Sequence, residues 1–233
     1  RERALRELDF ELEGWSAERI GKAFAADARI AVPKIHWRLS TPKLLTMEFV
    51  EGCRVDDVEA IRAMGLEPLR VAEAVCDSFA RQAHSLGFVH ADPHPGNMLV
   101  RRRSSGEAQV VLLDHGLYCE LSEEFRRDFC TFWRAAVLRD DAALRGVCER
   151  LGAGALHWVL PLVFAGQQQQ QQRQRPQDLA AARAAVERRA RLLTLEDVSN
   201  LLQSLPKEMS LVLRTNSLVR SLVKKLAGEE QRR

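Results

Sequence analysis

The hydrophobic positions change period along the chain, and each change marks an element. Over residues 66–86, Leu69, Ala72, Val75, Cys76, Phe79, Ala83 and Leu86 recur near a helical period, and Gly87 ends the run as a C-terminal glycine does. Two short apolar blocks follow, Met98-Leu99-Val100 and Val110-Val111-Leu112-Leu113, separated by a polar stretch that contains Ser104, Ser105 and Gly106. That pattern predicts a β-hairpin. Residues 43–50 are mostly apolar and β-prone and break at Glu51-Gly52, which predicts a further strand.

Helical signals dominate the remainder. Ser122 is placed as the N-cap of a helix whose buried face is Phe125, Phe129, Phe132, Trp133, Ala136 and Val137. Residues 140–151 read as another amphipathic helix, ended by Gly152. Gln167 to Gln172, with the Arg/Gln/Pro stretch to Gln177, reads as a flexible insertion. Residues 178–193 are rich in Ala and Arg, which favour helix, and Thr194 caps a following start. Pro206 opens the last helix, whose apolar side is Leu213, Leu218, Val219, Leu222, Val223 and Leu226. That side is expected to pack on the body of the protein. Arg214, Arg220, Lys224 and Lys225 beside it make a membrane surface the weaker alternative. The fold class expected is α+β, mostly α.

Composition narrows the setting. The 233 residues can bury one sizeable core, and with 46% hydrophobic and 29% charged residues the chain is not disordered as a whole. A net charge of +3 argues against nucleic acid as the main partner. Arg101-Arg102-Arg103 reads as a solvated hairpin turn, with acidic lipid headgroups as a weak alternative. Cys53, Cys76, Cys119, Cys130 and Cys148 contain no Cys-x-x-Cys pair, so reduced thiols are expected. No apolar run reaches the roughly 18 residues of a membrane span.

The chemistry concentrates in residues 90–97, His-Ala-Asp-Pro-His-Pro-Gly-Asn, and in Asp114-His115-Gly116. Asp92 stands five residues before Asn97, and Asp114 follows the hairpin. Phosphoryl transfer uses one carboxylate to orient the attacking oxygen and two oxygen ligands to hold magnesium on the phosphates. The hairpin would bring its two ends, Asn97 and Asp114, to one metal ion. Two other readings compete. Asp, Asn, Pro and Gly are ordinary turn residues. His90, Asp92 and His94 alternate as zinc ligands can, yet His36, His84, His115 and His157 are scattered and read as structural or surface residues.

Four segments in order, Glu7-Leu-Asp9-Phe-Glu-Leu-Glu13, Leu45-Thr-Met-Glu-Phe-Val-Glu-Gly52, the 90–97 loop and Leu112-Leu-Asp-His-Gly-Leu-Tyr118, resemble the aarF-domain-containing kinases, the UbiB-like atypical kinase family. The Asp-His-Gly-Leu-Tyr variant looks most like the branch named aarF domain-containing kinase 5. More weakly, the 90–97 loop resembles aminoglycoside and choline phosphotransferases. The resemblance implies a protein-kinase-like fold comprising a large lobe with the αC-like helix and hinge of the small lobe. It implies Asp92 as the catalytic-loop Asp and Asn97 and Asp114 as metal ligands. Glu13 would be the helix Glu that pairs with a nucleotide-binding Lys. Glu7 and Asp9 would be the Glu-x-Asp element that shapes the site, and Met47, Glu48, Phe49 and Val50 the hinge beside adenine. Without that company, Glu7, Asp9 and Glu13 read as a solvated helix face.

The same resemblance implies ATP and Mg2+ as cofactors, ATPase or phosphotransferase activity, a mitochondrial location, and a link to lipid or isoprenoid-quinone metabolism. A lipid or membrane surface is the further partner it suggests. The family's Ala-rich loop, Lys-bearing strand and Lys-x-Gly-Gln element are absent from these residues, and no Gly-x-Gly-x-x-Gly occurs. An incomplete small lobe is therefore expected, and this chain alone is expected to be inactive. The domain boundaries expected are 1–50 for the small-lobe remnant, 51–165 for the large lobe, 166–177 for the insertion and 178–233 for a helical extension. A non-catalytic interaction module and a small-molecule phosphotransferase are the alternative functions.

Overall fold

The structure, a computed structural model, describes residues 9–154, 157, 160 and 205–228. Its elements in chain order are α1 (Phe10–Ala23), β1 (Ile30–Ala31), β2 (Cys53–Arg54), α2 (Val58–Ala63), α3 (Pro68–Arg81), β3 (Phe88–His90), β4 (Met98–Arg102), β5 (Ala108–Leu112), β6 (Tyr118–Glu120), α4 (Glu123–Leu138), α5 (Asp141–Arg150) and α6 (Lys207–Ala227). The described residues fall into two compact units. One takes residues up to Glu120 together with those from Thr215 on, and the other takes Leu121 to Arg214.

The first unit is built on a four-stranded sheet in the order β1-β5-β4-β2. The hairpin expected from the two apolar blocks is β4–β5, antiparallel with Met98 opposite Leu112 and Arg102 opposite Ala108. Met98, Val100, Val110, Val111 and Leu112 are buried, as near-continuous apolar blocks require. β2 adds antiparallel to β4. A Cβ at Gly52 would stand 2.6 Å from the Val100 carbonyl oxygen, so only glycine lets the chain enter β2 so close to β4. β3 and β6 form a separate two-stranded pair, with His90 opposite Tyr118.

Helix α1 is capped by Asp9, whose carboxylate accepts the Glu11 N–H at 3.0 Å, and it buries Ala17 and Ile20. Helix α3 buries Val71, Ala72, Val75, Ser78 and Phe79, while Leu69 and Cys76 are left on its exposed side. The stripe is thus turned from the purely apolar reading, and two polar residues, Ser78 and Gln82, fall on the buried line. The expected helix over 66–86 also ends differently: Gln82–Leu86 is a π-turn, closed by Gly87 in the left-handed region at φ 62°. From α6, Val219, Leu222 and Leu226 join the same core as Ile20, Val75 and Val100. Packing, not a membrane face, accounts for that apolar side. Among the described residues no helix is long and apolar enough to cross a membrane.

Three expectations need correction. Residues 43–50 do not form a strand. Met47 makes one isolated bridge to Ile35, flanked by His36 N–H to the Thr46 carbonyl and Glu48 N–H to the Lys34 carbonyl, both at 2.8 Å. A β-prone segment with so short a partner builds no ladder. The three arginines of the hairpin are not a free solvated cluster. Arg101 bonds Gln109 at 2.9 Å, Arg102 the Met64 carbonyl at 3.1 Å, and Arg103 Glu107 at 3.1 Å. In the second unit, Ser122 does cap α4, accepting the Phe125 N–H at 3.2 Å, and Phe125, Phe129 and Phe132 are buried. The face continues through Ala135 instead of Val137, which is 62% exposed. Asp140 caps α5, and Leu144, Val147 and Cys148 face α4. The Gln-rich insertion and the helices expected over 178–204 lie outside the described residues.

Leu226, fully buried at the end of α6, tests this packing. Leu226→Ala is expected to cost about 2–5 kcal/mol in urea unfolding. Lys224→Ala, on the exposed side of the same turn, is expected to stay within about 0.5 kcal/mol.

Candidate functional site

The 90–97 loop is held by bonds between its own backbone groups and by side chains that bond its backbone. Proline, glycine and asparagine turn it into a 3-10 turn over Pro95–Asn97. His94 N–H donates to the Asp92 carbonyl at 2.8 Å, and Asn97 N–H to the His94 carbonyl at 2.9 Å. The Asn97 Nδ2 donates to the Asp92 carbonyl at 3.3 Å. With that nitrogen committed, Oδ1 is the Asn97 atom that can coordinate a cation. The alternating histidines are spent on the loop itself: His90 Nδ1 accepts the Asp92 N–H at 3.1 Å and His94 Nδ1 the Gly96 N–H at 3.0 Å. Among the described residues no three His, Cys, Asp or Glu side chains are grouped to hold a metal, so the zinc reading has no ligand set.

The hairpin does close the two ends on each other. Leu113 N–H donates to the Asn97 carbonyl at 2.9 Å, one bond beyond the ladder. Asp114 therefore begins a turn beside Asn97. Its Oδ1 accepts the Gly116 N–H at 2.9 Å, and the residue is exposed. Asn97 and Asp114 offer only hard oxygens, the donor chemistry magnesium takes alongside phosphate and water.

Glu13 comes to this turn from α1, in the same unit. Its Oε1 accepts the His115 N–H at 3.3 Å. Burial, with the Asp114 carboxylate nearby, holds Glu13 above the usual carboxylate range, against the opposing pull of that N–H. Glu13 thus lies half-buried beside the Asp114 turn and not on a solvated face, and Asp9 caps α1. Glu7 lies outside the described residues. Of the hinge segment, Val50 is buried and Phe49 is 87% exposed. Glu48 stands 3.7 Å from Arg101.

Behind the loop lies a set of buried polar groups that sequence reasoning did not single out. Gln82, in the π-turn, accepts the His90 N–H at 2.9 Å and donates to Ser78 Oγ at 3.3 Å. Thr215, from α6, donates its hydroxyl to the His90 carbonyl at 3.3 Å. His115 is buried, with Nε2 3.0 Å from the Leu112 carbonyl and Nδ1 2.9 Å from the Tyr118 hydroxyl. π-turns recur at functional sites, and a Gln on an apolar helical stripe is the signal that was available for Gln82. Thr215 left no local signal.

Desolvation lowers both rings. His115 is pushed down to about 4, and His90 falls below the ordinary imidazole range although the Asp114 charge pulls it the other way. The Tyr118 hydroxyl is raised by burial and by Asp114. Below about pH 6.5 the unfolded chain takes up protons on these rings that the folded chain refuses. Stability is therefore expected to fall as pH drops from about 6.5 towards 4, by up to about 1 kcal/mol per pH unit for His115 alone. Urea midpoints at several pH values in that window check this, and a flat profile would contradict neutral buried rings.

Comparison with known proteins gives the family of the chain. The ABC1 atypical kinase-like domain matches residues 1–147. AarF domain-containing protein kinase 1 of Xenopus tropicalis is 37% identical over 219 residues, 93% of this chain and 42% of that protein. The probable serine/threonine-protein kinase abkB of Dictyostelium discoideum is 36% identical over 216 residues, 93% of this chain and 31% of that one. The chain thus spans between about a third and two fifths of the length of these relatives. The solved complex of Rv3197 with erythromycin from Mycobacterium tuberculosis superposes with a TM-score of 0.58 at 19% identity, covering 97% of this chain and 56% of that one. The fold is accordingly kinase-like, mixed α and β. The relatives named kinase 1 carry the family but not the kinase 5 branch.

Proposed function

The chain belongs to the UbiB-like aarF family of atypical kinases, and from that membership we propose that residues 90–116 form a magnesium-dependent ATP site for phosphoryl transfer or ATP hydrolysis. The observation that carries this reading is the closure of the β4–β5 hairpin, which sets Asn97 and Asp114 at adjoining ends, with the Asn97 amide bonded back to Asp92. Magnesium, when bound, neutralises charge on the phosphates. Asn97 Oδ1 and the Asp114 carboxylate would hold it. The Asp92 carboxylate would orient the attacking oxygen and accept its proton. Glu13, beside the Asp114 turn, would pair with a cationic side chain at the phosphates. Met47 to Val50 would border the adenine. A mitochondrial location and a lipid or quinone-related substrate are proposed with the family reading and rest on it.

In a protein that carries these residues together with the family's Ala-rich loop and Lys-bearing strand, Mg-ATP is expected to raise the melting temperature by about 5 °C at saturating nucleotide, and this chain alone is expected to show little or no shift. Asp114→Asn is expected to abolish that shift. Asp92→Asn should retain it while cutting phosphate release at least about 100-fold. If wild type and Asp114→Asn melt alike with and without Mg-ATP, the non-catalytic interaction module replaces this reading.

A further inference from the structure

The carbonyl of Leu112 poses a hydrogen-bonding problem that the fold solves in an unusual way. Leu113 N–H donates to the carbonyl of Asn97 opposite it, so the next pair, Met98 and Leu112, face each other without bonding. The Leu112 N–H and C=O therefore point away from β4, towards β1. There the ladder is parallel, with Ile30 opposite Val110 and Val110 N–H donating to the Arg29 carbonyl at 2.8 Å. Continuing that alternation by two residues sets the N–H of residue 33 opposite the Leu112 carbonyl. Residue 33 is a proline and has no N–H. Leu112 is 1% exposed, so a carbonyl without a protein donor there would be costly.

His115 supplies the donor. A carbonyl only accepts, so Nε2, at 3.0 Å, must carry the proton. Nδ1 then has a lone pair and accepts the Tyr118 O–H at 2.9 Å. Tyr118 lies in β6, paired with His90 in β3, and the Ala91 N–H bonds the Leu117 carbonyl at 2.9 Å. The ring thus ties the last residue of β5 to the first of β6. The five residues between, with Asp114 among them, are pinned at both ends by one side chain from their own middle.

We propose that His115 and Tyr118 are positioning residues for Asp114: the His115 ring, bridging the Leu112 carbonyl and the Tyr118 hydroxyl, sets the turn so that Asp114 meets a magnesium–nucleotide complex. The proposal rests on the phosphoryl-transfer reading of the site. A phenylalanine at 115 would fill the space but bond neither partner.

The test is a magnesium titration, at fixed ATP, of a protein that carries these residues together with the family's Ala-rich loop and Lys-bearing strand, below the melting temperature of each variant, with metal-free ATP affinity measured alongside. Tyr118→Phe keeps the ring and removes one oxygen. It is expected to raise half-saturating magnesium about tenfold, to leave metal-free ATP affinity unchanged, and to recover saturation at excess magnesium. His115→Phe is expected to shift it further in the same direction. If His115→Phe does not fold, Tyr118→Phe carries the result. Equal magnesium midpoints in wild type and Tyr118→Phe, with Asp114→Asn abolishing the dependence, overturn the latch and leave the site reading standing. Identical behaviour of wild type and Asp114→Asn overturns both. A 15N ring spectrum showing the proton of His115 on Nδ1 overturns the latch by itself.

Discussion

The 90–97 loop depends on the satisfaction of buried polar groups behind it. Among the described residues the buried polar side chains are Ser78, Gln82, His90, Asn97, His115 and Thr215. All of them bond within one neighbourhood. Ser78 meets Gln82, Gln82 and Thr215 meet the two sides of the His90 peptide, His90 meets the Asp92 N–H, and Asn97 meets the Asp92 carbonyl. His115 closes the set on the hairpin side. An unmet polar group in such a place costs about 1–3 kcal/mol, more than a typical hydrogen bond contributes. The loop is therefore fixed less by what each bond adds than by what each loss would expose. Apolar packing could hold the same elements together, but it would not fix which way the Asp92 and Asn97 peptides face.

What the sequence made legible was local. The hairpin follows from two apolar blocks around a polar turn, and the cap Ser122 follows from a side chain that bonds the N–H three residues on. The spacing of Asp92 and Asn97 is legible for the same reason, since one short turn joins them. Gln82 was half legible, as a polar residue on a buried helical line. Thr215 was not, because its partner His90 lies 125 residues away and nothing in the intervening pattern announces the contact. The expected strand over 43–50 failed for a related reason. Its apolar content is real, but strand formation depends on a partner, and residues 34–36 offer only a single bridge.

Pro33 and His115 show how a local irregularity and a functional turn can be linked. A proline where the ladder would need a donor is ordinarily a reason for a strand to end. β1 does end there, after two residues, but β5 continues past it to Leu112. The orphaned acceptor falls at the last residue before the Asp114 turn, where a donor must come from outside the sheet. Among the twenty side chains, histidine can donate from one ring atom and accept at the other. It can therefore meet a backbone carbonyl and a tyrosine hydroxyl at once. The choice of residue after Asp114 is thus tied to Pro33, although the two are 82 positions apart in the chain.

The placement of Glu13 gives the same site its electrostatic constraint. Two carboxylates, Glu13 and Asp114, share a partly buried corner, and the His115 N–H is the described donor that Glu13 receives there. Burial raises the cost of the Glu13 charge most, the His115 N–H offsets part of it, and the Asp114 carboxylate adds a smaller rise, so Glu13 stays above the ordinary range. A corner so arranged favours a cation, whether a metal ion at Asp114 or an ammonium group beside Glu13. That argument needs no particular substrate. It requires only that α1 and the Asp114 turn stay in register, which the Glu13 to His115 bond secures.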